Sequence, residues 1–150
     1  MELKSRKTDY LKYWRVIRCF VKMKYKLTQA DLDMILFLYS EPYFDKDKFI
    51  EFNELLGWDV KRFDRLLSDG WIVVFRKRKG KYKALYELSY KGVRLVASIY
   101  KKLNGEEIPV SKSQNPMFLK NVSYSSRAYR DMVKEMNAST RQQRHHAPEL

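Results

Sequence analysis

The chain has 150 residues, 45% of them hydrophobic, which suits one ordinary domain with tails. Its formal net charge of +13, from 31 Lys and Arg against 18 Asp and Glu, favours a polyanionic partner. The single Cys19 excludes an intramolecular disulfide framework and fits a reducing compartment, and neither an apolar run of membrane-spanning length nor a signal peptide is legible.

Domain organisation follows from composition. Residues 1–8 read as a basic arm, 9–104 as a core, 105–137 as a linker with a C-terminal helix, and 138–150 as a polar, disordered tail. The first helix, capped by Thr8 or Asp9, places Tyr10, Tyr13, Trp14, Ile17, Phe20 and Val21 at three- and four-residue steps, with Lys12, Arg15, Arg18 and Lys22 on its other side. Its apolar face suits core packing, a dimer seam or a membrane-surface helix, and the helices that follow directly and could cover it favour the first two. Thr28 then caps a second helix carrying Leu32, Ile35, Leu36, Leu38 and Tyr39, with Asp31 at the capping-box position, and Glu41-Pro42 ends it. A third helix follows Asp45 or Asp47, with Phe49, Phe52, Leu55 and Leu56 as its buried stripe, and Gly57 stops it.

The most informative stretch comes next. Asp59 is expected to cap a short helix whose Val60, Phe63, Leu66 and Leu67 face inward while Lys61, Arg62, Arg65 and Ser68 face outward. Such a helix can enter the DNA major groove. Arginine there pairs bidentately with guanine, at about 1–3 kcal/mol of discrimination per contact. Two strands follow, 71–75 and 81–88, around a tip of Arg76, Lys77, Arg78, Lys79, Gly80 and Lys81 that contains no acid. With Lys83, these cations are the expected phosphate or minor-groove contacts. Leu88-Ser89-Tyr90-Lys91-Gly92 opens a fifth helix that Asn104-Gly105 closes, and a last helix at about 123–137 carries Tyr129, Met132, Val133 and Met136 on one face. The fold class read from this order is mainly α with a small β-hairpin wing, a winged helix-turn-helix of about six helices.

In the order of these elements, the Gly57 turn, the Ser68-Asp69-Gly70-Trp71-Ile72 entry to the wing and the Leu88-to-Gly92 exit, the chain resembles a divergent member of the multiple antibiotic resistance regulator (MarR) type of winged-helix transcription factors, over roughly residues 9–103. The Leu88-Ser89-Tyr90-Lys91-Gly92 segment looks like that family's leucine-threonine-any-any-glycine motif, with Ser89 for threonine. The segment from Gly57 to Gly70 is about one helical turn shorter than the family pattern. The family's aspartate-any-arginine wing pattern is absent at Gly80-Lys81-Tyr82, so no base-reading wing arginine carries over. The resemblance implies double-stranded DNA as partner and a homodimer built from the first and last helices, with Tyr10, Trp14, Ile17, Tyr129, Met132, Val133 and Met136 as dimerisation residues; the alternative for the last helix is packing on its own body. It also implies recognition helices about 34 Å apart on an inverted repeat.

No catalytic, metal or cofactor site is expected: His145 and His146 lie in the polar tail, Cys19 has no partner at redox or metal spacing, and no phosphate-binding glycine loop occurs. These readings predict a sequence-specific transcriptional regulator in the cytoplasm, nucleoid-associated in a bacterium or in the host cytoplasm when phage-encoded. Three alternatives stay open. They are a sequence-neutral nucleic-acid binder for packaging or replication, a winged-helix adaptor docking an acidic protein, and gating by a small aromatic ligand near Tyr13, Trp14, Tyr39 and Tyr100.

Overall fold

The computed structural model describes residues 9–57 and 59–145. Its elements are α1 (Tyr10–Tyr25), α2 (Gln29–Tyr39), α3 (Lys46–Leu56), α4 (Arg62–Ser68), β1 (Ile72–Arg76), β2 (Leu85–Leu88), α5 (Tyr90–Leu103) and α6 (Tyr124–His145), with a 3-10 turn at Pro116–Phe118. This is a mainly α fold with a two-stranded antiparallel wing. No helix among the described residues is long and apolar enough to cross a membrane.

The chain divides into two compact units, residues 27–98 and the segments that precede and follow them, so α1 groups with α6. The unit of residues 27–98 begins where Thr28 accepts the Asp31 N–H at 3.1 Å and caps α2. Leu32, Met34, Ile35 and Leu38 of α2 are buried, as are Phe49, Phe63, Leu66, Trp71 and Ile72. Phe63 meets Phe49 and Tyr86 edge-on, with centroids 5.1 and 5.0 Å apart. Asp45 caps α3 through the Lys48 N–H, and Gly57 takes φ +102° beyond its last turn. The stripe expected on α3 is narrower than its spacing suggests: Phe49 is buried, Phe52 and Leu56 are half-covered, and Leu55 is exposed.

The hairpin pairs Ile72 with Leu88, Val73 with Glu87 and Val74 with Tyr86, and an irregularity between Val74 and Arg76 bends it at the wing. The second strand is shorter than expected, because residues 77–84 turn back through a Lys79–Tyr82 bridge. Phe44 pairs with Tyr86 through two backbone hydrogen bonds of 3.0 and 2.8 Å, fixing the α2–α3 connection against β2. Ser89 caps α5 by accepting the Gly92 N–H at 3.1 Å. A Cβ on Gly92 would lie 2.7 Å from Leu88 Cδ1 and Cγ and 3.2 Å from the Trp71 carbonyl oxygen. Gly92→Ala is therefore expected to lower stability by about 1 kcal/mol in a urea melt, because overpacking exceeds the gain in helix propensity. An unchanged or higher midpoint would remove close packing as the reason for glycine here.

In the other unit, Asp9 caps α1, which buries Val16, Ile17, Phe20 and Val21. The segment after α5 is irregular in outline yet firmly tied. Asn137 donates to the Ile108 carbonyl and accepts its N–H, both at 2.9 Å, and Arg130 donates to the carbonyls of Met117 and Leu119. The tail expected from residue 138 is a correction, since α6 continues to His145. Val133, Met136, Asn137 and Thr140 are buried at helical spacing, and Arg141 reaches Glu107 at 2.7 Å, so packing sustains a helix that composition alone does not suggest. Residues 1–8, expected as a basic arm, and 146–150 lie outside the described residues.

Candidate nucleic-acid interface

The turn before α4 is wound around charge. Asp59 accepts the Lys61 N–H at 3.0 Å instead of capping the helix, and α4 starts only at Arg62. This late start turns Val60 outward and Arg62 inward, reversing two of the expected orientations. Arg62 is 5% exposed and donates through Nε to Asp31 Oδ1 at 2.9 Å, with Nη1 held by Asn53 and the Gly57 carbonyl. Arg65 donates to both oxygens of Asp31, at 3.1 and 2.7 Å, and to Asp59 at 2.8 Å. Its hydrogen bonds to Asp31 and then Asp59 raise its pKa further still, while the same contact with Arg65 holds the Asp59 carboxyl below its ordinary value. Two carboxylates balance two guanidinium groups.

Arg62 is thus unavailable to a groove, and Arg65 is committed to two carboxylates. Of the four expected α4 contacts, only Lys61 and Ser68 are exposed, beside Asp64 and Asp69. A surface of mixed sign replaces the uniformly basic row. The sequence carried a signal for this arrangement in Asp31, which stands near the start of α2 where local capping also accounts for an acid.

The wing differs. Arg76, Lys77, Arg78, Lys79, Lys81 and Lys83 are all exposed, and no Asp or Glu occurs between Asp69 and Glu87. Arg76 donates to the Lys83 carbonyl at 3.2 Å and Arg78 to the Gly80 carbonyl at 3.5 Å, contacts that leave both charges uncompensated. Lys83 instead forms an ion pair with Asp47, which raises its pKa. The cations expected to act alike therefore separate into five without a carboxylate partner among the described residues and one already paired.

The expected dimerisation residues separate too. Ile17, Val133 and Met136 are buried within their own unit, a correction explained by the packing of α1, α6 and the 3-10 turn on one another. Trp14 and Tyr129 are half-covered, with the Tyr129 hydroxyl accepting from Arg15 Nε at 3.1 Å, while Tyr10 and Met132 stay exposed. Of the aromatics expected near a ligand, Tyr13 donates to Ser139 at 3.2 Å and Trp14 lies under Arg18. Burial pushes the Cys19 thiol up, away from thiolate reactivity.

Comparison of the chain with known protein families, curated proteins and solved structures finds no match.

Proposed function

We propose that this protein binds double-stranded DNA through residues 27–98 and acts as a transcriptional regulator, with the wing on the phosphates and the exposed part of α4 toward the major groove. The observation that carries this reading is the wing itself: a hairpin pinned by Phe44 and Trp71, bearing five cations with no carboxylate partner among the described residues. Such a ribbon matches the charge of a duplex backbone and releases its counterions on contact. The order of helices, caps and wing supports a divergent MarR-type plan. Base contact falls to Lys61 and Ser68, and the homodimer needed for an inverted repeat draws on the exposed Tyr10, Leu11 and Met132.

A second reading, sequence-neutral binding in packaging or replication, is favoured by one observation. Arg62 and Arg65, the residues best able to read guanine, are spent on Asp31 and Asp59. Fluorescence anisotropy with fragments flanking the gene and with random duplex, at two salt concentrations, separates the two. A regulator is expected to prefer one fragment by about 10³ or more. Equal, salt-labile affinities would replace it with the neutral binder, and absence of binding would reject both.

A further inference from the structure

The wing carries more than charge. Tyr43 and Phe75 stack with ring centroids 3.9 Å apart and planes 22° from parallel, yet they are 48% and 47% exposed. Tyr82, 59% exposed, lies under the Arg76 guanidinium at 5.9 Å. Three aromatic side chains thus remain open to solvent beside a loop that contains no acid.

Core packing does not account for them. Phe44, the neighbour of Tyr43, is buried against Phe49 and Tyr86, so the connection already has its inward anchor. Tyr43 is left on the surface, where its partner is Phe75 of β1. Exposed aromatics beside an unopposed cationic track are the two components of a single-strand binding surface: bases stack on the rings while phosphates follow the cations. A closed duplex offers the second interaction alone, because its base faces are already stacked on one another.

We infer that the wing binds unpaired nucleic acid, stacking nucleobases on the Tyr43–Phe75 pair and on Tyr82 while Lys77, Lys79 and Lys81 hold the phosphates. This rests on the reading of the wing as a nucleic-acid contact and extends it from the duplex to opened or single strands. Stacking is indifferent to base identity, so the surface accepts any sequence, with preferences set by stacking strength and backbone flexibility.

The test uses labelled oligo(dT) and a random duplex, titrated by anisotropy against the full chain, Phe75→Leu, Tyr82→Leu and the double variant. Leucine keeps apolar bulk and removes the ring, and thermal melts verify that each variant folds. The double variant is expected to lose about tenfold or more in oligo(dT) affinity while duplex affinity changes less than about twofold. Equal losses on both ligands, or none on oligo(dT), overturn the inference. If the unmodified chain binds duplex but no oligo(dT), this inference fails while duplex binding stands; if it binds neither, both fail.

Discussion

Asp31→Ala is expected to remove about 3–5 kcal/mol of stability, the cost of leaving a buried charge without its partner. That is a large share of the roughly 5–15 kcal/mol that holds an ordinary domain together. Asp31 is 4% exposed, and its carboxylate accepts three hydrogen bonds from Arg62 and Arg65. Without it, Asp59 alone faces two guanidinium groups, and Arg62 has little route to water. Asp31→Asn, which keeps volume and one acceptor oxygen, is expected to lose less. Combining Asp31→Ala with Arg62→Met should cost less than the sum of the single changes, since the second removes the charge stranded by the first. Urea melts followed by circular dichroism check all three, and a loss below about 1 kcal/mol for Asp31→Ala would show that the network does not hold the turn.

Acid acts on the same turn through Asp59. Its pKa is lowered in the folded chain, chiefly by the Arg65 hydrogen bond, so its contribution is complete above the unfolded carboxylate value near about 3.9. That contribution is lost as pH falls through the lowered folded value. Above that range, Asp59 gives stability no pH dependence.

Replacing Lys77, Lys79 and Lys81 together with Gln is expected to reduce the slope of log K against log salt by about 3 on any duplex, roughly 0.9 for each phosphate that is no longer neutralised. Specific and random sequences should weaken alike, because phosphate contacts position a protein without reading bases. The three side chains are exposed, so the melting midpoint should not move. Lys83→Gln provides the contrast. Its ammonium already faces Asp47, so its removal should change the slope far less than removal of any one of the three. An unchanged slope in the triple variant would place the phosphate contacts elsewhere on the chain.

Local chemistry made much of the fold legible. Thr28, Asp45 and Ser89 each cap the helix that follows, and Gly57 and Gly92 occupy places where a side chain would strain the backbone or collide. These signals act within three or four residues and survive without tertiary information. The candidate site was less legible because its decisive partner is distant. Arg62 meets Asp31 across 31 positions, and nothing in the spacing of α4 distinguishes an arginine bound for DNA from one bound for a carboxylate. The Phe44–Tyr86 bridge was hidden for a different reason, as a single paired residue has no periodicity to detect. Polar composition misled at the C-terminus, where Thr140 is buried and Arg141 bonds to Glu107. The wing charges needed no partner to be recognised, which is why the sequence alone displays them.

The most direct test of binding through the wing is an amide chemical-shift titration of the ¹⁵N-labelled chain with a short random duplex. The expected shifts concentrate at residues 76–83, with smaller ones at Lys61 and Ser68 and none along α1 or α6. Shifts along α1 and α6 with a silent wing, or no shifts anywhere, would contradict it.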